Sequence, residues 1–182
     1  SFGAKYKKQN VGSQCLFHTF SFFANKNITT GEGGAISVQD TKHYKTIKKI
    51  INQGQESRYK HVLLGNNFRL TNIQAAIGYL QINRLNKILV EKNKYAKIYK
   101  KLITSEKITF QKIPEYVSQH SYYNFTIFMK PSIKNKLKKY LTSKNIETRE
   151  SFPPVHIQPY YKRKFNFKKN DFKNSFESFN SF

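Results

Sequence analysis

Residues 20–34, FSFFANKNITTGEGG, place a lysine between an aromatic run and a turn rich in glycine and threonine. The aromatic run at 16–23 predicts a buried strand, because aromatic residues are enriched in strands. The glycines of the turn permit positive φ angles, and AISV at 35–38 predicts a second strand after it. Lys26 therefore lies either at a site that holds its amine for chemistry or in an exposed, glycine-rich hairpin.

The residue types around Lys26 suit covalent chemistry. A lysine that attacks an aldehyde must be held close to it, and a strand-to-turn position between closely packed glycines can hold an amine in this way. The hydroxyl of Ser21, five residues earlier, could bind a phosphate oxygen. Glu32 is expected to bond amides of the turn, and His18 is expected to have a structural role. The pattern predicts no metal site.

A long amphipathic helix dominates the middle of the sequence. Thr71 is the predicted N-cap, and apolar residues recur at spacings of three, four and seven up to Leu102. At about 1.5 Å per residue, this helix is long enough to connect two domains. The other segments predict a helix at 41–52 ending before Gly54, an irregular loop at 55–69, a strand at 122–129, a helix at 133–144, a strand at 146–149, a proline-fixed loop at 152–161 and a low-complexity tail at 165–182.

The formal net charge of +23 is typical of proteins that bind nucleic acid or an anionic surface. The composition offers a simpler cause, since 28 Lys against 5 Arg, with many Asn, Ile, Phe and Tyr, is what A/T-rich codons produce. Arginine binds phosphate and base edges better than lysine, so its scarcity argues against nucleic acid. We expect no membrane span and no signal peptide, and the single Cys15 suits a reducing, cytoplasmic compartment.

Three further segments occur in a fixed order around residues 20–34: SFGAKYKKQNVGSQC (1–15), GNNFRLTNIQAAIGYLQINRL (65–85) and IETRESFPPVHIQPYY (146–161). In this order the four segments resemble the DegT/DnrJ/EryC1/StrS family of nucleotide-sugar aminotransferases, especially its perosamine-synthase-like branch. The family depends on pyridoxal 5′-phosphate. The likeness covers most of residues 1–164, and its lysine and Asn-Phe-Arg motifs are highly specific together.

The resemblance implies an α/β protein with the fold-type-I aminotransferase fold. Residues 1–85 would form the C-terminal part of the large cofactor-binding domain. Residues 86–182 would form the connecting helix and an incomplete small α+β domain. The family's N-terminal portion, with the aspartate that pairs with the pyridinium nitrogen, is expected upstream of Ser1. A fragment of this extent is therefore expected to be poorly active alone.

The resemblance also implies roles for residues of the lysine and Asn-Phe-Arg motifs. Lys26 matches the lysine that carries pyridoxal phosphate and moves a proton between substrate and cofactor, and Ser21 matches a phosphate-binding serine. Asn67 matches the asparagine that reaches the cofactor phosphate of the partner subunit, which implies a homodimer with shared active sites. Arg69 is either a ligand or an anchor of its loop, and Phe68 replaces the family's usual tyrosine.

Two further candidates come from the last matching segment. Arg149 and His156 match residues near the sugar-nucleotide end of the family's site, and His156 has a packing role among nearby prolines as its alternative. Tyr122 and Tyr123 are interpreted as strand packing rather than as substrate contacts.

The implied reaction is amino transfer from glutamate to a nucleotide-linked 4-keto-6-deoxy sugar, for polysaccharide or O-antigen synthesis. Relatives that remove a hydroxyl instead carry His at the lysine position, so Lys26 favours transamination. Two other hypotheses stay open: a basic protein that binds nucleic acid or an anionic surface, and a non-catalytic relative used for dimerisation.

Overall fold

The computed structural model describes residues 2–150 and 152–181, which divide into two compact units. The first unit contains the residues up to 98 together with 113–124. The second contains 99–112 together with the residues from 125 onward. The boundary predicted at residue 85, between the large cofactor-binding domain and the connecting helix with the small domain, stays a prediction.

Short strands precede and separate the first helices, and helices make up the C-terminal part of the chain. In chain order the strands are β1 (Lys5–Tyr6), β2 (Gln9–Asn10), β3 (Phe17–Ser21), β4 (Gly34–Val38), β5 (Gln55–Ser57), β6 (Lys60–His61), β7 (Thr109–Phe110), β8 (Val117–Gln119) and β9 (Ile127–Phe128). The helices are α1 (Thr41–Ile50), α2 (Asn72–Leu102), α3 (Pro131–Ser143), α4 (Pro159–Phe165) and α5 (Lys173–Ser181), with 3₁₀ turns at Val155–Ile157 and Lys169–Phe172.

Strands β3 and β4 pair antiparallel, with Ser21 opposite Gly34 at the end next to the turn. This confirms the two strands predicted on either side of Lys26. The expectation that the first is buried is wrong, because no residue of β3 is buried and Phe17 is 43% exposed. A side chain at Gly34 would place Cβ 2.7 Å from the Phe20 carbonyl oxygen, so only glycine fits where the turn closes. The end of the hairpin thus fixes both ends of the loop at 22–33.

A three-stranded sheet, in the order β2-β1-β8, belongs to the first unit. Two further hydrogen bonds join the same segments. The Lys7 N–H donates to the Tyr116 carbonyl oxygen at 2.7 Å, and Gln119 Nε2 donates to the Gly3 carbonyl oxygen at 2.7 Å. The segment that follows this sheet, 120–123, is therefore held within the first unit.

Helix α1 begins where the Asp40 side chain accepts a hydrogen bond from the Lys42 N–H at 2.7 Å. This hydrogen bond lowers the pKa of the Asp40 carboxyl below its usual value. A hydrogen bond from the His43 side chain, the charge attraction of that ring and the His43 backbone N–H lower the pKa further. The helix predicted at 41–52 is confirmed, and its end lies within the usual uncertainty of helix boundaries.

The irregular loop expected at 55–69 is wrong in part, because β5 and β6 form a short hairpin inside it. Glu56 binds Lys49 at 2.7 Å and Lys60 at 3.0 Å, and these hydrogen bonds lower the pKa of the Glu56 carboxyl to about 2. The hairpin carries charged pairs rather than alternating apolar residues. Hydrophobic periodicity therefore gives no sign of it.

Gly54 is buried at the end of α1, before the segment that leads to Asn67. Its φ is +72°, and an added Cβ would lie 1.7 Å from the Leu63 carbonyl oxygen. We expect Gly54→Ala to lower the free energy of unfolding by roughly 3 kcal/mol or more, because left-handed strain adds to a backbone clash.

Gly31→Ala is the matched control for this prediction. Gly31 also has a positive φ, +80°, but an added Cβ would meet nothing within 4 Å. Its substitution should cost only the backbone strain, about 1–2 kcal/mol. Urea denaturation of the two variants of the full-length protein measures the difference, and equal losses of stability would show that the clash at Gly54 is relieved without cost.

Helix α2 has 31 residues, roughly 45 Å, and confirms the predicted long helix. The Thr71 hydroxyl accepts from the Gln74 N–H at 3.3 Å, and Gln74 Oε1 accepts from the Thr71 N–H at 3.0 Å. Its buried residues include Leu89, whereas Ile73 and Leu80 in its first half are 76% and 63% exposed. Within the described residues, no helix has both the length and the apolar character that crossing a bilayer requires.

In the second unit, β7 pairs antiparallel with β9, and α3 confirms the helix predicted at 133–144. The strand predicted at 122–129 is confined to the two residues of β9, and at its predicted start Tyr122 has φ +39°, which is not extended backbone. The strand predicted at 146–149 is wrong. The Ile146 N–H instead donates to the Leu141 carbonyl oxygen at 2.9 Å and closes the end of α3.

The C-terminal segments are more helical than expected. Helix α4 begins inside the predicted loop 152–161, because Pro159 suits the first position of a helix. In the Phe-rich tail, Phe172 and Phe176 lie four residues apart and precede or enter α5. Phe172 ends the 3₁₀ turn and is 48% exposed, whereas Phe176 lies within α5 and is half-buried.

Candidate active site

The Lys26 side chain is half-buried on the turn after β3. Its backbone N–H donates to the Phe23 carbonyl oxygen at 2.9 Å, and its Nζ lies 4.3 Å from the centroid of the Tyr123 ring. Among the described residues, no carboxylate forms an ion pair with Lys26. The amine is therefore held against a neutral ring, which attracts an ammonium ion but does not neutralise it.

The loop that carries Lys26 is closed by its own hydrogen bonds. The Phe22 N–H donates to the Gly33 carbonyl oxygen at 2.9 Å, and the Thr30 N–H returns to the Phe22 carbonyl oxygen at 2.9 Å. Ile28 is 2% exposed, so an apolar anchor lies two residues after the lysine. These contacts fix the backbone beneath the Lys26 amine.

Asn27 is a buried polar residue of this turn that no sequence motif singles out. Its Nδ2 donates to the carbonyl oxygen of Ser121 at 2.8 Å, and both residues are buried. Its Oδ1 is buried too and has no hydrogen-bond partner among the described residues. An unpaired buried acceptor is costly, so a donor supplied by another group would be favourable here.

Ser21 ends β3 and is exposed. Its Oγ accepts a hydrogen bond from the Phe23 N–H at 3.4 Å, which leaves the hydroxyl hydrogen available for an acceptor. Glu32 contributes its carbonyl oxygen, which accepts from the Thr30 hydroxyl at 2.6 Å. His18 packs on the Phe20 ring at 4.6 Å.

Asn67 and Arg69 lie on an exposed loop that is anchored to the end of α1. The Phe68 N–H donates to the Ile51 carbonyl oxygen at 2.9 Å. The backbone of Asn67 also pairs antiparallel with that of Asn52 in an isolated β-bridge. Arg69 Nε donates to Asn67 Oδ1 at 2.9 Å, so the Asn67 amide has its Nδ2 left as a donor. In the described residues, no hydrogen bond, ion pair or ring contact joins this loop to Lys26.

The two later candidates lie in the second unit, in different surroundings. Arg149 is exposed and its Nε lies 3.3 Å from a Glu147 carboxylate oxygen. His156 is buried, packs on the Phe172 ring at 4.9 Å, and its Nε2 lies 3.2 Å from the Lys169 carbonyl oxygen. These contacts favour the packing alternative for His156.

Comparison with known proteins gives consistent likenesses. Residues 1–181 match the DegT/DnrJ/EryC1/StrS aminotransferase family. The GDP-perosamine synthase of Escherichia coli O157:H7 is 38% identical over 168 residues, which cover 91% of this chain and 46% of that protein. This chain spans about half the length of the curated relatives it matches.

Solved structures give the same result for the fold. S. venezuelae DesV superposes with a TM-score of 0.88 at 25% identity, covering 98% of this chain and 47% of that one. The PLP form of Spr1654 from Streptococcus pneumoniae gives a TM-score of 0.86 at 23% identity, covering 98% of this chain and 48% of that one. The predicted α/β, fold-type-I fold is confirmed.

Proposed function

The chain belongs to the DegT/DnrJ/EryC1/StrS aminotransferase family, and we propose that it acts in amino transfer from glutamate to a nucleotide-linked 4-keto-6-deoxy sugar. The cofactor is pyridoxal 5′-phosphate. The observation that carries the proposal is the Lys26 amine, half-buried on a rigid turn and without an ion pair among the described residues. The similarity to a GDP-perosamine synthase supports a nucleotide-linked sugar as the acceptor of the amino group.

The residues around Lys26 fit this cofactor. An amine that is not paired with a carboxylate can attack an aldehyde once it loses its proton. The Ser21 hydroxyl can donate to a phosphate oxygen, and the buried, unpaired Oδ1 of Asn27 offers an acceptor one residue after the lysine. When bound, pyridoxal phosphate supplies the electron sink for the reaction. Lys26 Nζ binds the cofactor and, when free, carries the proton to and from the reacting carbon.

Asn67 completes the phosphate site of a second copy in a homodimer. Its Nδ2 is left as a donor because Arg69 occupies its Oδ1. Arg69 thus acts through Asn67, as a positioning residue. Leu64, three residues before Asn67, is 97% exposed. Apolar residues in the first half of α2, such as Ile73 and Leu80, are exposed too, at 76% and 63%. Apolar side chains so exposed beside a polar donor suit a protein interface.

Arg149 is the better placed of the two remaining candidates for an anionic ligand. Its guanidinium is exposed, and within residues 2–150 and 152–181 its ion pair is with Glu147, which leaves donors for the diphosphate of a sugar nucleotide. His156 supports the segment by packing. The homodimer, the glutamate donor, this use of Arg149 and a cytoplasmic location are all parts of the proposal.

The direct test is amino transfer by the purified full-length protein. Glutamate labelled with heavy nitrogen is supplied with pyridoxal phosphate and a GDP-linked 4-keto-6-deoxy sugar, and the product is analysed by mass spectrometry. We expect the label in an amino sugar. A different result would favour the alternative hypothesis of a basic protein that binds nucleic acid. In that case the protein would retard nucleic acid in a gel, less so at high salt, and would leave the keto sugar unchanged.

A further inference from the structure

The segment His-Ser-Tyr-Tyr, residues 120–123, is held on one side by helix α2. Asn93 Nδ2 donates to the His120 carbonyl oxygen at 3.1 Å, and Lys92 Nζ donates to the Tyr122 carbonyl oxygen at 3.2 Å. Partial burial lowers the pKa of the Lys92 ammonium, and the nearby Tyr123 phenol opposes this shift. Two neighbouring side chains of one helix, Lys92 and Asn93, therefore hold the backbone of this short segment.

The backbone of the segment is strained where it turns toward the lysine loop. Tyr122 has φ +39°, a conformation that bulky residues rarely adopt, and its N–H donates to His120 Nδ1 at 3.1 Å. Such strain persists only where the surroundings enforce it, and it concentrates at functional sites. Here the enforcing contacts are those made by α2.

On its other side, the segment contacts three consecutive residues of the lysine loop. The Tyr123 hydroxyl donates to Asn25 Oδ1 at 3.1 Å, the Tyr123 ring lies 4.3 Å from Lys26 Nζ, and Asn27 Nδ2 donates to the Ser121 carbonyl oxygen at 2.8 Å. The ring is thus tethered at its hydroxyl end, and the lysine amine lies against its face.

We propose that Tyr123 is a positioning residue that holds the Lys26 amine in place for attachment to the cofactor aldehyde, in which the lysine nitrogen would bond the aldehyde carbon and the aldehyde oxygen would leave as water. This inference rests on the proposed function of Lys26. A tyrosine ring suits the task because its flat face packs against the end of the lysine side chain and limits the positions that the nitrogen can take.

The test follows the covalent attachment of pyridoxal phosphate to cofactor-free, full-length protein, by stopped-flow visible absorbance. We expect Tyr123→Leu to slow attachment about tenfold, because the amine is no longer confined. Tyr123→Phe keeps the ring and should slow it less than about threefold. Tyr140→Leu is the matched control: the Tyr140 ring lies 5.8 Å from Lys144 Nζ in the second unit, and its loss should leave the rate unchanged.

A double-mutant cycle separates positioning from simple destabilisation. Asn25→Ala should slow attachment in the wild-type background but add nothing to Tyr123→Phe, because both remove the same hydrogen bond. Additive effects, or a wild-type rate in Tyr123→Leu, would overturn the inference. This cycle decides the matter even if Tyr123→Leu fails to fold.

Lys26→Ala distinguishes a failure of this inference from a failure of the proposed function. If Lys26→Ala still attaches the cofactor covalently, the assignment of the lysine is wrong. If that variant attaches none while Tyr123→Leu attaches at the normal rate, only the positioning role is lost.

Discussion

Replacing Lys26 with alanine in the full-length protein is expected to lower the rate of amino transfer by about a thousandfold or more. In the proposed function, the substitution removes both the amine that binds the cofactor and the group that moves the proton, and either loss alone is costly. The measurement is product formation under single-turnover conditions, with visible absorbance recorded in parallel. We expect the absorbance of covalently bound pyridoxal phosphate to disappear.

The fold should survive this substitution. Lys26 forms no ion pair within the described residues, and the loop is anchored by Ile28 and by the Phe22 backbone bonds rather than by the lysine side chain. Lys144→Ala is the matched control, since Lys144 also lies near a tyrosine ring but in the second unit. Its activity should be unchanged. A Lys26→Ala variant that keeps normal turnover would rule out the proposed function of this residue.

A small amine added to Lys26→Ala gives a second, independent check. If the lysine moves a proton at the reacting carbon, an amine in solution that reaches the vacated space should restore part of the rate, in proportion to its concentration. A residue needed only for packing would show no such dependence. The same experiment on Lys144→Ala should show no effect.

The elements that sequence predicts well are those with their own local signal. The aromatic residues of β3 and the glycine at the end of the turn give the hairpin, and the spacing of apolar residues from Thr71 to Leu102 gives α2. Both elements can be predicted from adjacent residues alone.

The elements that sequence missed depend on contacts or on strain. The β5–β6 hairpin has charged pairs around Glu56 in place of alternating apolar residues. The strand expected at 122–129 begins only at Ile127, and Tyr122 at its expected start takes up a positive φ, which no propensity predicts for tyrosine. At 146–149, the end of α3 uses the Ile146 N–H that a strand would need.

The candidate site divides in the same way. Lys26, Ser21 and Asn67 belong to short motifs, so they can be proposed from sequence. Tyr123 and Asn27 are important because of contacts with residues that are distant in sequence. Tyr123 bonds Asn25, which is 98 positions away, and Asn27 bonds Ser121, which is 94 positions away. The alternation of apolar and polar residues predicts that Tyr123 packs within a strand. Its contact with Lys26 becomes visible only in the folded structure.

Co-expression of a Lys26→Ala chain with an Asn67→Asp chain is expected to restore activity that neither variant has alone. Asn67→Asp should lower activity more than about a hundredfold, because it loses the donor to the phosphate and places a charge against it. In a homodimer with shared sites, each site takes its lysine from one subunit and its asparagine from the other. A mixed dimer then has one intact site and one with both substitutions.

The yield of this experiment distinguishes shared sites from sites within one chain. Random pairing makes about half of the dimers mixed, so about a quarter of all sites should be intact. If Asn67 served the lysine of its own chain, every site would carry one substitution and the mixture would stay inactive. The reciprocal control pairs wild type with a Lys26→Ala/Asn67→Asp chain. With shared sites its mixed dimers contain no intact site, whereas with sites within one chain they contain one. Because wild-type homodimers are also present, shared sites predict about a quarter of all sites intact in this mixture, and sites within one chain predict about a half.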